Sequence, residues 1–382
     1  AVTGGIGETF DSAGGLSSFI GYPMSDAEER THNGGGWAQA FQGAAIYWRF
    51  GAGYVVYGGI RDEYTRHGWS AGTLGWPVSA QDCGLSPTGC MQSFQNGIIA
   101  WSPSTPATRV DGAVLATYRA EGSHAGRLGY PTGSARASRV AGGGTAQSFA
   151  GGGIFARTGS QAYSTWGGIG IEFAAQGAES GPLRWPVGSQ QCDLVGGGCR
   201  QNFQNGALVW SPVTGTVSVE GAVLAAYDRS GGVAGPAGYP TAAAAVRLGN
   251  GTGVVQTFQN GVVYASPATG AYLLRGPIRD AYVQAGYNQG SFGWPTSDLD
   301  GTLAGGGCQQ QFQGDWIVWS TDTGTVRIGG ELWATWKSSG AEGGSLGYPT
   351  GAVTPRVGGG WTQPFQGGRL SWTAARGGFI DN

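Results

Sequence analysis

The chain has 382 residues, of which 77 are glycine, 12% are aromatic and only 12% are charged, and its formal net charge is −2. A chain with so few basic residues lacks the surface that binds a nucleic-acid backbone, so we expect no nucleic-acid partner. No window approaches the roughly 18 consecutive apolar residues that a membrane span requires. The first residues resemble neither a membrane anchor nor a signal peptide, and we interpret the chain as a soluble mature form from which a signal peptide has been removed.

A tight corner of the Gly-Tyr-Pro type, with variants, recurs seven times along the chain, and its prolines are spaced 54 or 55 residues apart. So regular a period predicts one repeat architecture instead of several unrelated domains. The corner prolines are Pro23, Pro77, Pro131, Pro186, Pro240, Pro295 and Pro349. The predicted units are 21–74, 75–128, 129–183, 184–237, 238–292, 293–346 and 347–382, the last completed by 1–20.

Each unit continues from its corner through a glycine-rich loop to a Gln-x-Phe motif and a turn. In the second unit the turn is Asn96-Gly97 between apolar residues, which is the strongest short signal for a β-hairpin. Further along, Val114 and Tyr118 are four residues apart, as on one face of a helix, and Gly122 follows as a stop. The unit is therefore predicted to be two strands followed by one short helix.

The two ends of the chain complement each other. Gly4, Ile6 and Phe10 stand at the places that Gly112, Val114 and Tyr118 occupy in the second copy, whereas the last copy breaks off before its helix. If both ends share one repeat, the chain needs no capping units. We therefore expect a β-rich, closed, propeller-like toroid with sevenfold pseudo-symmetry.

Four of the five cysteines form two pairs with the same spacing. Cys83 with Cys90 and Cys192 with Cys199 bracket equivalent loops, so we predict two local disulfides and an oxidising, extracellular location. A four-cysteine zinc site is disfavoured because copies two and four are not neighbours in a ring, and no metal or cofactor is expected. Cys308, the fifth cysteine, is predicted to be a free thiol that packs in the protein.

The pattern as a whole resembles the LGFP repeat. Leu74-Gly75-Trp76-Pro77 carries the corner of that motif, and the positions that complete it lie at fixed spacing in the same copy. These are Gln92, Phe94, Gly97, Trp101, Gly112, Val114 and Tyr118. The resemblance implies a secreted or cell-wall-associated actinobacterial protein whose repeats bind cell-envelope polysaccharide of the arabinogalactan type. It brings no defined binding residue.

Two recurring residue types are candidate ligands for sugar. A tryptophan follows the motif phenylalanine by seven residues in five copies, and indole faces stack on sugar rings; the alternative role is packing between units. These residues are Trp48, Trp101, Trp210, Trp319 and Trp372, with Ala156 and Ala265 in the other two copies. The motif glutamine could hydrogen-bond sugar hydroxyls or satisfy buried backbone groups. The candidates of this type are Gln92, Gln201 and Gln310.

Catalysis would require one copy to depart from the others. The three histidines have no metal-type spacing, and no Gly-x-Ser-x-Gly motif accompanies them. If the chain is an enzyme, the acidic residue of choice is Asp315, which replaces a small turn residue in the sixth copy. Three hypotheses follow: a secreted non-catalytic polysaccharide-binding protein, a glycan-degrading or glycan-modifying enzyme, and a structural or protein-interaction scaffold.

Overall fold

A computed structural model of the chain describes residues 1–247 and 252–381. Residue 382, at which the last predicted unit ends, lies outside the described residues. The chain divides into two compact units, the first made of residues 1–190 with 201–204 and the second of residues 191–200 with 205–382. No helix in the described part of the chain is long and apolar enough to cross a membrane.

Seven repeats of a small antiparallel sheet and a nine-residue helix make up both units. The helices are α1 Gly4–Ser12, α2 Gly58–Arg66, α3 Gly112–Ala120, α4 Gly167–Ala175, α5 Gly221–Arg229, α6 Gly276–Gln284 and α7 Gly330–Ser338. A short 3₁₀ turn follows each helix, at Gly15–Ser17, Trp69–Ala71, Ser123–Ala125, Ala178–Ser180, Gly232–Ala234, Tyr287–Gln289 and Ala341–Gly343. Two further 3₁₀ turns lie at His32–Gly34 and Ala304–Gly306.

The strands of the first compact unit form open antiparallel meanders in chain order. They are β1 Glu28–Arg30, β2 Gly36–Ala40, β3 Ala44–Arg49 and β4 Ala52–Tyr57; β5 Cys90–Phe94, β6 Gly97–Ser102 and β7 Thr105–Asp111; and β8 Arg136–Ala137, β9 Gly144–Phe149, β10 Gly152–Arg157 and β11 Ala162–Trp166. The division between the compact units passes through the strands of the fourth repeat. These are β12 Gln191–Leu194, β13 Gly198–Phe203, β14 Gly206–Ser211 and β15 Gly215–Glu220.

The second compact unit continues with three four-stranded antiparallel meanders. Their strands are β16 Ala245–Arg247, β17 Gly253–Phe258, β18 Gly261–Ser266 and β19 Gly270–Leu274; β20 Asp300–Leu303, β21 Gly307–Gln311, β22 Trp316–Ser320 and β23 Gly324–Ile328; and β24 Thr354–Pro355, β25 Trp361–Phe365, β26 Gly368–Thr373 and β27 Gly377–Asp381. Helix and sheet thus alternate throughout, as the repeat pattern predicts.

The prediction of two strands per repeat was wrong, because the repeats of the described chain have four strands, or three in the second copy. The predicted hairpin forms the middle pair, as in β5 with β6. The first strand is only two to four residues long, too short to show an alternating pattern. The last strand alternates buried and less buried residues, as in β15, and the predicted unit did not include it.

The hairpin turn lies one residue earlier than predicted. Phe94 pairs with Gly97, so the turn residues are Gln95 and Asn96, and Gly97 begins β6. Neither Asn96 nor Gly97 has a positive φ. A Cβ at Gly97 would instead overlap the side chain of Leu74 in the corner. Glycine is required here because the corner packs directly on the strand.

The helical spacing was predicted correctly, and Val114 and Tyr118 form the buried face of α3. Gly122 follows in the left-handed conformation, with φ of 88°, as expected for a glycine stop. The Tyr118 hydroxyl donates to the carbonyl oxygen of Gly129 in the next corner, at 3.0 Å. Burial raises the pKa of Tyr118, so the hydroxyl remains a hydrogen-bond donor at every physiological pH.

Helices pack against the sheet that follows them in the chain. In the first repeat, Ile6 and Phe10 of α1 lie in one core with Phe41 and Ile46, and the rings of Phe10 and Phe41 stack at 5.1 Å. Helices α2 and α3 in the first compact unit, and α5, α6 and α7 in the second, contact the following sheet in the same way. The buried surface of each repeat is therefore shared with its neighbour.

Corner aromatic rings reach back to the preceding repeat. The Trp76 indole donates from Nε1 to the carbonyl oxygen of His32 at 3.0 Å, and the Tyr130 hydroxyl donates to that of Pro87 at 2.9 Å. Trp76 and Tyr130 are buried, whereas Tyr22, the corner residue of the first copy, is 61% exposed. The corner aromatic ring of the first copy is therefore exposed, whereas in the second and third copies the preceding repeat covers it.

Both predicted disulfides, Cys83–Cys90 and Cys192–Cys199, are present. Cys308 is a half-buried free thiol whose pKa is raised by burial, so it remains protonated and unreactive at neutral pH. The strands around it have the same register as the strands around the second disulfide, which places Gly301 at the position of Cys192.

The substitution Gly301→Cys should therefore create a third disulfide with Cys308. A Cβ at Gly301 comes no closer than 3.6 Å to a neighbouring atom, the Leu299 side chain, so the new side chain fits. Closing this short loop should raise the free energy of unfolding by about 2 kcal/mol. Thiol titration and thermal unfolding with and without reductant measure the effect. Gly305→Cys is the control. A free-thiol count in Gly301→Cys that is one higher than in the parent protein would contradict the expectation.

Candidate functional site

The five predicted tryptophans lie half-buried near the ends of equivalent strands. Trp48 packs on the first turn of α1, where a Cβ at Gly5 would overlap the indole ring. Trp101 packs in the same way beside Gly59, the second residue of α2. Each of these indoles therefore contacts the N-terminus of the helix that precedes its sheet and leaves part of its surface accessible to solvent.

The two copies without tryptophan fill the position differently. Ala156 and Ala265 are buried. In the helices that precede them, the second residue is Ala113 and Ala222 in place of glycine. A methyl group on the helix therefore accompanies the loss of the indole, although the sixth and seventh copies keep tryptophan after a larger residue. These two copies therefore have no indole at this position that could contact a ligand.

Two tryptophans that the sequence reasoning missed stand across the sheet from two of the predicted ones. Trp37 on β2 pairs with Trp48, and Trp361 on β25 pairs with Trp372. Trp37 is 40% exposed and Trp361 is 44% exposed, more than any of the five predicted residues. The signal was present in the sequence, because three glycines precede a tryptophan two residues before the motif glutamine only in these two copies.

A cavity lies beside each of these tryptophan pairs. The first groove has a volume of about 340 Å³ and is lined by Thr3, Gly4, Gly5, Ile6, Ala27, Trp37 and Trp48. The seventh groove has a volume of about 500 Å³ and is lined by Asp315, Arg327, Gly329, Glu331, Leu332, Ala352, Val353 and Trp361. Both volumes lie within the range of small-ligand sites. In both, the start of a helix faces the exposed tryptophan.

Other copies have a smaller residue than tryptophan at the position of Trp37 and Trp361. Cys90 and Cys308 stand across from Trp101 and Trp319, and Cys90 is held in its disulfide. In the fifth copy Val254 pairs with Ala265, beside a cavity of about 520 Å³ without any aromatic residue. The residue two before the motif glutamine therefore decides whether a copy presents an aromatic platform.

The seventh groove is the charged one of the two. The carboxylate of Asp315, the residue selected from the sequence, forms an ion pair with the Arg327 guanidinium. Arg327 also donates from Nη1 to the Ser291 hydroxyl at 2.8 Å. Glu331, the second residue of α7, is exposed and forms no salt bridge with any residue that the structure describes. One uncompensated negative charge therefore lines this groove.

The motif glutamines are buried in all seven copies. In the second copy, Gln92 donates from Nε2 to the carbonyl oxygen of Ser79 after its own corner, at 3.0 Å, and to that of Val55 on the last strand of the preceding sheet, at 3.2 Å. Gln201 and Gln310 make the equivalent pairs of hydrogen bonds. These amides join neighbouring repeats through the backbone, and none of them faces a groove.

The remaining acidic and imidazole groups do not converge. Glu63 is buried and contacts Arg66, in the same helix, and His67, the residue directly after that helix. Within residues 1–247 and 252–381, no group of three or more histidine, cysteine, aspartate or glutamate side chains is placed to hold a metal ion. The two tryptophan grooves are therefore the strongest candidate sites.

The LGFP repeat matches the chain seven times, at residues 20–72, 74–126, 128–181, 183–235, 238–290, 292–344 and 346–380. No curated protein matches the chain. Among solved structures, virginiamycin B lyase from Staphylococcus aureus is 8% identical over 93% of this chain and 94% of its own, with a TM-score of 0.12. A streptogramin B lyase is 9% identical over 92% and 93%, with a TM-score of 0.13. TM-scores this low support no conclusion about fold or function.

Gln92→Leu should destabilise the protein through its backbone contacts. The leucine has a similar volume but leaves two carbonyl oxygens without their donor, which should lower the free energy of unfolding by about 2 kcal/mol. Urea unfolding measures the change. Gln161 is exposed, so Gln161→Leu is the matched control and should be neutral. Equal stability of the two variants would show that the buried amide has no structural role.

Proposed function

The chain belongs to the LGFP repeat family, whose repeats match it from residue 20 to residue 380, and on this premise we propose that it is a secreted, non-catalytic protein that binds cell-envelope polysaccharide of the arabinogalactan type. The two tryptophan grooves are the proposed binding sites. Trp37 and Trp361 form the exposed platforms. Trp48 and Trp372 pair with them across the sheet.

The observation that carries this proposal is the pair of exposed indoles beside cavities of ligand size. An indole covers the apolar C–H face of a sugar ring, and helix N-termini offer backbone N–H groups to hydroxyl or ring oxygens. Two such sites on one chain bind a repetitive polymer more tightly than either site alone. The two disulfides support a location outside the cytoplasm.

The proposal includes closure of the seven repeats into a propeller-like ring. Tyr22 is exposed, although the counterparts Trp76, Tyr130, Tyr239 and Tyr348 donate hydrogen bonds to the preceding repeat. Gln39 is buried, and within the described part of the chain its amide donates to Ser25 alone, whereas the other six glutamines also reach the preceding sheet. Both groups of the first repeat lack, within the described residues, the neighbour that satisfies their counterparts, and we propose that the seventh repeat supplies it.

Removal of the two platforms should weaken polysaccharide binding without unfolding the protein. The variant Trp37→Ala with Trp361→Ala should lose about tenfold in affinity per groove for purified actinobacterial envelope polysaccharide, since one aromatic platform contributes roughly 1 to 3 kcal/mol. Co-sedimentation measures the binding, and thermal unfolding confirms that the fold is retained.

Trp69→Ala is the matched control, because Trp69 is 37% exposed and lines neither groove. Retention of the double variant at parent levels would refute the assignment of the grooves. Release of reducing ends from the polysaccharide would show instead that the protein is a glycan-degrading enzyme.

Ring closure can be tested by cross-linking in a Cys308→Ser background. By the repeat spacing, Tyr22 should face the loop at Val357, which is fully exposed. A short bis-maleimide should therefore link Tyr22→Cys to Val357→Cys within one chain and raise the melting temperature. Val213→Cys with Val357→Cys is the control and should not cross-link. Cross-linked dimers and longer chains would demonstrate end-to-end association in place of closure.

A further inference from the structure

We propose that the seventh groove selects a sugar residue carrying a free amino group, whereas the first groove takes a neutral sugar. This inference rests on the proposed carbohydrate-binding function and adds a charge preference to one of its two sites. It follows from a comparison of two grooves that share a frame and differ in their charged residues.

The frame of the two grooves is the same. Each has an exposed tryptophan on the second strand of a sheet, paired across the sheet with a half-buried tryptophan. Each opens beside the first turn of a nine-residue helix, α1 or α7. The two sites therefore offer a bound sugar ring the same apolar face.

The charged residues of the two grooves differ. Only uncharged residues line the first groove, and Gly5 is the second residue of its helix. In the seventh groove the equivalent helix residue is Glu331, and Asp315 and Arg327 line the same cavity. A sugar on the Trp361 platform is therefore bound among charges that the first groove lacks.

Most of the charge in the seventh groove is already compensated. Asp315 is paired with Arg327, whose guanidinium is further held by the Ser291 hydroxyl and lies 5.1 Å from the centre of the Phe292 ring. These contacts fix Arg327 and remove both charges from competition for a ligand. Glu331, in the first turn of α7, remains as an exposed carboxylate without a salt bridge to any residue that the structure describes.

An ammonium group on the sugar is the complement of this arrangement. The carboxylate of Glu331 attracts the ammonium, and the electron-rich face of Trp361 favours a nearby cation as well as the C–H bonds of the ring. An N-acetylated sugar keeps the ring stacking but loses both charge interactions. An anionic sugar would be repelled by the uncompensated carboxylate. The seventh groove therefore distinguishes a free amino sugar from N-acetylated and anionic sugars by charge, which ring stacking alone would not do.

Two single-groove variants make the proposal testable. Trp37→Ala leaves the seventh groove as the working site, and Trp361→Ala leaves the first. The probes are glucosamine and galactosamine oligosaccharides of equal length, each free and fully N-acetylated, with binding measured by calorimetry. We expect Trp37→Ala to bind the free amino form about fivefold more tightly, the scale of one exposed ion pair. Glu331→Gln in that background should abolish the preference and retain binding of the acetylated form, and Trp361→Ala should show no preference.

The outcomes separate this inference from the proposed function. If the protein binds envelope polysaccharide but Trp37→Ala shows no preference in either sugar pair, the charge selectivity is refuted and carbohydrate binding stands. A preference that survives Glu331→Gln would likewise overturn the role of that carboxylate. If the unmodified protein binds neither the polysaccharide nor any of the four oligosaccharides, the proposed function itself fails.

Discussion

The packing of a helix on the sheet of the following repeat is the contact on which the rest of this structure depends. A nine-residue helix with two or three buried side chains is not stable alone in water. Val114 and Tyr118 of α3 are buried in a core that includes Phe149 and Ile154 of the next sheet. Since the helices complete the cores of their neighbours, no repeat has a closed core of its own within the residues that the structure describes, and stability arises from the succession of repeats.

Polar contacts at the same junctions determine how the repeats are spaced. The buried glutamine amide connects the last strand of one sheet with the corner of the next repeat, as Gln92 does for Val55 and Ser79. The hydroxyl of Tyr118 reaches the corner at Gly129 from the helix. Both groups are buried and directional, so they fix the approach of neighbours more sharply than apolar packing does. This role explains why the glutamine recurs in the second to seventh motifs.

The grooves arise where this repeated packing leaves space between a helix start and a strand pair. The frame is common to the repeats, but the residue two before the motif glutamine differs between copies. Cysteine at this position closes a loop in the second copy, valine leaves an apolar wall in the fifth, and tryptophan provides a platform in the first and last. The differences in function that we propose are therefore confined to a few positions on a uniform scaffold.

The sequence by itself determined the seven repeats, the helix face, the hairpin and both disulfides, because each is a local pattern repeated at a fixed spacing. It did not reveal that the glutamines are buried or that the Gly97 position serves close packing, because both depend on contacts with residues from another part of the chain. The sequence singled out Asp315 as an exception, but its ion pair with Arg327 and its place beside Glu331 in one cavity depend on the fold. Only the tertiary structure decided which tryptophans are exposed, because exposure depends on how closely the preceding helix approaches each strand.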